Sequence, residues 1–191
     1  MEMKSVFLDN GGRLYLRLIE PGDARTMTHW VNNPNDPEVQ LYVKTLQPAA
    51  LLPTQAWEVA QLNDRRHANA VFAIMEKRTN TYIGNIGIYK IDWENGAGTF
   101  GVVIGEQNLR RNGHGTEAGF LILEYAFETL GLRKLTSRVR ANNKAGVRLQ
   151  EKNLGFKSEG RLEKQWYIDG KYVDVILFAL FKEAWEKFKS G

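Results

Sequence analysis

The spacing of apolar residues changes from a strand period to a helix period between residues 70 and 131, and this change most constrains the fold. Three segments, 70–77, 82–92 and 96–105, are rich in β-branched and aromatic residues, and the turn-like stretches RTNT and WENG separate them. Such short connections predict an antiparallel three-stranded meander. A helical spacing of i, i+3, i+4, i+7 and i+8 follows, at Ala118, Leu121, Ile122, Tyr125 and Ala126, and Gly131 ends that helix.

The rest of the chain alternates between the same two periods. Strand patterns occur at 11–20 and 132–141, and a final hairpin at 164–180 turns at Asp169-Gly170. Helix patterns follow Asp23 and occupy 53–66 and 143–155. The predicted order is β-α-α-βββ-α-β-α-ββ, which is a mixed α/β fold. The length of 191 residues suits one domain, so we expect a single domain over 1–191.

Composition excludes several classes of protein and site. The chain has no cysteine, so it has no disulfide, no thiolate metal site and no cysteine nucleophile. It contains no apolar run of membrane-span length and no signal peptide, which predicts a cytoplasmic protein that does not enter a membrane. The net charge of +4 is too mild to indicate nucleic-acid binding. The three histidines are isolated in sequence, so we expect no metal.

The stretch RRNGHGTEA, residues 110–118, lies between the meander and the helix. A helix start offers unpaired N–H groups and a positive dipole end, and glycines let a ligand approach the backbone, so the stretch suits a phosphate or pyrophosphate. A plain strand-to-helix turn is the alternative. A P-loop is excluded because its Lys-Ser/Thr is absent, and the dinucleotide fingerprint lacks the acidic residue required after the next strand.

The pattern Arg/Gln-x-x-Gly-x-Gly/Ala at 110–115 resembles the pyrophosphate turn of the GNAT superfamily of acyl-CoA N-acyltransferases. Residues 14–39, 82–105, 115–160 and 169–180 resemble further segments of the branch that contains ribosomal-protein N-terminal and spermidine acetyltransferases. The resemblance covers about residues 13–182. It implies a GNAT-like central mixed sheet, mostly antiparallel, flanked by helices.

The resemblance also implies a cofactor site for acetyl-CoA. The pantetheine arm would pair with the backbone of the strand before the turn, and the pyrophosphate would bind the turn itself. Asn143 matches the asparagine that contacts the arm, with Asn142 as a rival register and a helix cap as an alternative role. The implied cofactor residues are Val102, Val103, Ile104, Arg110, Arg111, Asn112, Gly113, His114, Gly115, Thr116 and Asn143.

The sequence departs from the resemblance where relatives carry an acid for the leaving thiolate. The usual serine position is Gly146, or Ala145 in the other register, and the usual tyrosine position is Gln150 or Leu149. The acid that the family carries on its central strand is Thr99 here. The segments EKNLGF and GEQNLRRNG each contain about one residue more than the family pattern.

Other side chains are candidates for catalysis or for contact with the acceptor amine. The catalytic candidates are Glu94, Asn143 and Tyr172. The substrate-binding candidates are Trp30, Asp92, Trp93 and Asp174. For Asp92, Glu94, Tyr172 and Asp174 the alternative is a solvated position in a turn or a structural role.

Two functions of different classes follow. The first is an N-acyltransferase that moves an acetyl group to a small-molecule or peptide amine: a protein N-terminus, a polyamine, an amino sugar or an antibiotic amine. The second is a degenerate member that binds CoA without turnover, as a sensor or interaction module. Homodimers are common in the branch, so a homodimer is a further expectation.

Overall fold

The computed structural model describes residues 8–33, 35–36, 69–168 and 170–190. Seven strands form one sheet, and helices pack on it, which confirms the predicted mixed α/β class. The strands are β1 (Leu14–Leu18), β2 (Ala70–Glu76), β3 (Thr81–Asp92), β4 (Ala97–Ile104), β5 (Lys134–Arg140), β6 (Lys157–Ile168) and β7 (Lys171–Phe181). The helices are α1 (Asp23–Asn32), α2 (His114–Glu124), α3 (Lys144–Arg148) and α4 (Lys182–Ser190).

The strand order is β1-β2-β3-β4-β5-β7-β6, and every neighbouring pair is antiparallel except β4 with β5. These two parallel strands pair only at Ala97–Lys134, Gly98–Leu135 and Thr99–Thr136. Beyond Thr99 and Thr136, the backbones of β4 and β5 no longer pair with each other. The sheet therefore splits into an open wedge between the carboxyl-terminal halves of β4 and β5.

The two faces of the sheet carry separate apolar cores. The larger core lies under α2 and includes Phe100, Ile122 and Leu135, with Val102 and Ile104 packed against it. The smaller core lies under α1 and includes Trp30 and Tyr82, with Val103 packed against it. Because side chains alternate along a strand, Val102 and Val103 face opposite sides of the sheet. The wedge therefore connects the α2 side of the sheet to the α1 side.

Two helices continue as π turns, over Tyr125–Thr129 after α2 and over Leu149–Asn153 after α3. In the second turn the Leu154 N–H donates to the Leu149 carbonyl at 3.0 Å, a separation of five residues. A π turn absorbs one extra residue without ending a helix. This π turn overlaps EKNLGF, the segment in which the resemblance implies about one extra residue.

The observed elements differ from the predicted ones at three places. α2 begins at His114, ahead of the helical spacing that starts at Ala118, because Gly113 already has a left-handed conformation that closes the turn. β6 begins at Lys157 and not at 164, and the terminal α4 was not predicted. The predicted helix at 53–66 and Asp169 lie outside the described residues.

Candidate active site

The turn before α2 presents backbone N–H groups at the open end of the wedge. Gly113 caps the helix with a φ of 84°, and Arg111 has a φ of 63°. The N–H groups of Gly113, His114 and Gly115 have no hydrogen-bond acceptor among the described residues. Successive N–H groups in such a turn form a concave anion site, and the helix dipole adds positive potential. The backbone geometry fits a phosphate or pyrophosphate.

The Arg110 side chain stabilises this turn through contacts inside the protein. Its guanidinium donates to both carboxylate oxygens of Asp36, one at 2.7 Å, and the pair is almost fully buried. It also donates to the carbonyls of Ile104 and Gly105, each at 2.8 Å. The sequence predicted Arg110 as a direct cofactor ligand. The structure directs its side chain into the protein, where it fastens the end of β4 to the residues after α1.

His114 and Thr116 also have partners within the protein. The His114 ring is buried, and its Nδ1 lies 2.9 Å from the Leu109 carbonyl, which links the two ends of the turn. The Thr116 N–H donates to the Gly113 carbonyl, and its hydroxyl accepts from Asn153 Nδ2 at 2.9 Å. The Thr116 amide is therefore occupied, whereas Asn112 is exposed at the tip of the turn.

Arg13 is a candidate that sequence reasoning missed. Its guanidinium donates to Glu117 at 2.9 Å and to the Asn112 carbonyl at 3.2 Å, yet its side chain is 55% exposed. Glu117 also accepts from the Leu14 N–H at 2.9 Å, so it fixes Arg13 beside the turn. No local pattern joins residues that are 104 positions apart. The only signal was Arg13 itself, an arginine directly before β1.

The edge of β4 supplies the second part of the site. Val102, Val103 and Ile104 lie in the unpaired half of β4 and are half-buried. A strand edge without a neighbour offers N–H and C=O groups to an extended ligand that contains amides. A short 3-10 turn at Gln107–Leu109 separates the edge from the turn before α2 in sequence. The hydrogen bond from Arg110 to the Ile104 carbonyl holds the end of the edge next to that turn, so one extended ligand can contact both.

Asn143 begins α3 at the carboxyl end of β5, on the opposite side of the wedge. Its side-chain oxygen accepts from the Gly146 N–H at 2.9 Å, which confirms the alternative role as a helix cap. A Cβ at Gly146 would lie 2.8 Å from Asn143 Nδ2 and 3.0 Å from Val139 Cγ1. Residue 146 therefore has no room for a serine unless the cap or Val139 moves.

This close packing predicts different outcomes for serine at the two candidate registers. We expect Gly146→Ser to destabilise the protein by roughly 1–3 kcal/mol, the usual effect of overpacking, without increasing turnover. Ala145→Ser is the matched control, since residue 145 is exposed, and it should change the free energy of unfolding by less than about 0.5 kcal/mol. Urea unfolding of both variants tests this expectation. A stable and faster Gly146→Ser variant would contradict it.

Two hydroxyls lie where β4 and β5 separate. The oxygens of Thr99 and Thr136 are 3.3 Å apart, and Thr136 also donates to the Gly98 carbonyl at 3.2 Å. Strand alternation places Thr99 on the same face as Val103, which is the α1 side. Polar side chains therefore meet at the closed end of the wedge, on the side opposite α2.

Asp92, Trp93 and Glu94 lie at the β3–β4 turn, at the other end of β4 from Gly113. The length of β4 separates the two ends by roughly 23 Å. Asp92 accepts from the N–H and the side-chain amide of Asn95, and these hydrogen bonds hold its pKa below the usual value. A lowered pKa makes a carboxylate a weaker base. Trp93 and Glu94 are exposed, and the structure does not bring these three residues to the wedge mouth.

Trp30 is buried and does not line an open surface. Its indole N–H donates to Glu106 at 2.9 Å, and its ring packs 4.7 Å from that of Tyr82. A side chain at Gly105 would overlap the indole, so Gly105 permits this contact. Trp30 thus fastens α1 to the end of β4.

Tyr172 and Asp174 lie on the β6–β7 hairpin, beside the carboxyl end of β5. Tyr172 is 66% exposed and packs against Tyr167, with ring centroids 5.0 Å apart. Asp174 accepts from the Lys164 N–H and from Arg161, and these contacts lower its pKa. Asp174 is therefore bound within the hairpin, whereas Tyr172 is accessible near the wedge mouth.

Comparisons with known proteins agree with this arrangement. Residues 13–157 match the family described as acetyltransferase (GNAT) domain. The chain is 30% identical over 174 residues to the uncharacterized N-acetyltransferase p20 of Bacillus licheniformis, covering 89% of this chain and 93% of that protein. It is 26% identical to the spermidine N(1)-acetyltransferase of Vibrio cholerae, covering 85% of this chain and 90% of that protein.

A solved structure shares the fold over nearly the whole length of both chains. It is the spermidine N-acetyltransferase of Vibrio cholerae in complex with CoA and spermine, with a TM-score of 0.79 and 24% identity. The match covers 91% of this chain and 98% of that one. This chain belongs to the GNAT family of acetyltransferases. The family resemblance inferred from the sequence is confirmed, and the enzyme is an N-acetyltransferase.

Two other features are absent from the described part of the chain. None of the helices there is both long and apolar enough to span a membrane. Among the same residues, no group of three or more histidine, aspartate or glutamate side chains could hold a metal ion.

Proposed function

We propose that the enzyme transfers an acetyl group from acetyl-CoA to a primary amine within a ternary complex. The observation that carries the proposal is the continuity of the unpaired β4 edge with the turn at Gly113–Gly115. The edge suits an amide-containing arm and the turn suits a pyrophosphate, in the order in which CoA contains them. The acceptor is one of four kinds of amine: a protein N-terminus, a polyamine, an amino sugar or an antibiotic amine.

In this proposal the two faces of the sheet have different tasks. CoA lies on the α2 side, with its phosphates on the amides of Gly113, His114 and Gly115 and with Arg13 beside them. The amine approaches from the α1 side, where the Thr99 and Thr136 hydroxyls meet. The amine nitrogen bonds to the thioester carbon, the C–S bond breaks, and the proton lost by the amine ends on the thiol. Precise positioning of the two reactants supplies much of the rate in such a reaction.

Tyr172 and Asn143 belong to the site, but Asn143 has a structural role there. Asn143 caps α3 and shapes the wall of the wedge, and Tyr172 borders the acceptor side. Asp92, Trp93, Glu94 and Trp30 have no assigned role in catalysis here, for the reasons of position and burial given above. The homodimer stays a prediction, which analytical ultracentrifugation tests.

The test is amine-dependent release of thiol from acetyl-CoA. We expect thiol to form only when an amine is present, in equal amount to the acetylated product detected by mass spectrometry. The panel contains spermidine, ribosomal-protein N-terminal peptides, an amino sugar and an aminoglycoside. Bound CoA without any amine-dependent release would instead support the binding-module alternative, which the absence of an acid at Gly146 and Gln150 motivates.

A further inference from the structure

Two buried polar side-chain atoms lack a hydrogen-bond partner among the described residues, Gln150 Oε1 and Trp185 Nε1. A buried polar group without a partner is destabilising, so each such group in a native protein calls for an explanation. For Trp185 the packing of its ring gives that explanation. Its ring packs against Phe120, Phe127 and Phe188, and burial of so large a ring offsets the lost hydrogen bond.

Gln150 has no comparable explanation. Its side chain is 4% exposed, and it belongs to the π turn that continues α3. It lies four residues after Gly146 and therefore on the same face of the helix. Gly146 faces β5, since its Cβ would contact Val139, whereas Arg148 and Glu151 on the opposite face are exposed. The Gln150 carboxamide is thus directed at the sheet.

The part of the sheet that it faces belongs to the wedge. Val139 and Ser137 lie in the half of β5 that has no partner on β4. Ser137 is 3% exposed and lies on the same face of β5 as Val139. Leu149, next to Gln150 in the π turn, packs against the larger core and towards Gly115 of the turn before α2. The unpaired Gln150 Oε1 therefore lies between α3 and the gap through which an acyl-CoA arm would pass.

We propose that Gln150 binds the pantetheine arm of CoA through its carboxamide and positions the thioester in the wedge. The inference rests on the proposed function. A carboxamide both donates and accepts, so it complements an amide of the arm, and the unpaired Oε1 receives the N–H that it lacks in the free protein. Gln150 has no titratable proton, so its role is positioning, and it supplies no acid to the leaving thiolate.

The test separates contact with the arm from an effect on the fold. Gln150→Met keeps the length of the side chain and removes both polar atoms, so the free protein should be as stable as wild type or more stable. Its Kd for CoA should rise about 5–30-fold, the usual effect of losing a buried hydrogen bond to a ligand. Its Kd for 3′-phospho-ADP, which carries the phosphates without the arm, should not change. Gln150→Leu is the second variant should methionine prevent folding.

Trp185→Phe is the matched control, because it removes the other unpaired buried atom, which lies on α4 and not on a strand or helix of the wedge. It should leave both dissociation constants unchanged in calorimetric titrations. Equal weakening of CoA and 3′-phospho-ADP by Gln150→Met, or no change in either, would overturn the assignment. Failure of the wild-type protein to bind either ligand would refute the proposed function itself.

Discussion

We expect Gly115→Val to abolish measurable binding of CoA while the domain remains folded. Gly115 is the second residue of α2. A Cβ added at this position would meet only Leu149 Cδ2, at an ordinary contact distance of 3.7 Å. The free protein therefore accepts a side chain there. A branched side chain beside the N–H groups of Gly113, His114 and Gly115 would keep a phosphate beyond hydrogen-bond distance. The expected increase in Kd is at least about 100-fold, or ~2.8 kcal/mol.

Two other glycines make this experiment specific. Gly160→Val in β6 is the control, because a Cβ there meets nothing within 4 Å and valine suits a strand. It should change neither folding nor binding. Gly113→Val is less clean, because a φ of 84° strains any β-branched residue and mixes loss of stability with loss of binding. A Gly115→Val protein that is folded by circular dichroism and binds CoA as wild type would show that the turn holds no phosphate.

Asp36→Ala should destabilise the protein by ~3–5 kcal/mol, because it leaves the guanidinium of Arg110 buried without its carboxylate. It should also weaken CoA binding by about 10-fold, or ~1.4 kcal/mol. The reason is that Arg110 holds the carbonyls of Ile104 and Gly105, so disturbing it loosens the junction of β4 with the turn. Chemical unfolding and calorimetric titration of the same preparation measure the two effects.

The chain offers a second buried pair for comparison. Arg17 donates to both carboxylate oxygens of Asp23 at 2.7 Å, on the α1 side and away from the turn. Asp23→Ala should therefore lower the free energy of unfolding by a similar amount. It should leave the Kd of the folded protein for CoA unchanged. Equal effects of the two variants on CoA binding would contradict the bracing role of Arg110. Tighter binding by Asp36→Ala would do the same, since it would mean that a released Arg110 contacts the phosphates.

Local patterns were sufficient to predict the elements that surround the site. The meander, the helix after RRNGHGTEA and the strand after Gly131 rest on residues close together in sequence, and each is present in the structure. β6 was predicted too short because residues 157–163 are mostly polar, as suits an exposed edge strand. α4 is held mainly by one side chain, Trp185, which packs against residues more than fifty positions earlier.

The candidate site was predictable in its backbone and less so in its side chains. Glycines at 113 and 115 indicate where N–H groups are accessible, because that property is local. Arg110 pairs with Asp36, and Asp174 pairs with Arg161. No short-range sequence pattern connects the members of either pair. The roles of Arg13 and Gln150 also depend on contacts between residues that are far apart in sequence. Both become visible only when β1 and α3 are packed against α2 and the wedge.

The measurement that tests the central claim most directly is a thermal unfolding titration of the wild-type protein with CoA and acetyl-CoA. A ligand that binds only the folded state must raise Tm, and the increase grows with ligand concentration. We predict such an increase for both ligands in the wild-type and Gly160→Val proteins and none in Gly115→Val. An unchanged Tm of the wild-type protein with either ligand in large excess would contradict a CoA site in the wedge and turn.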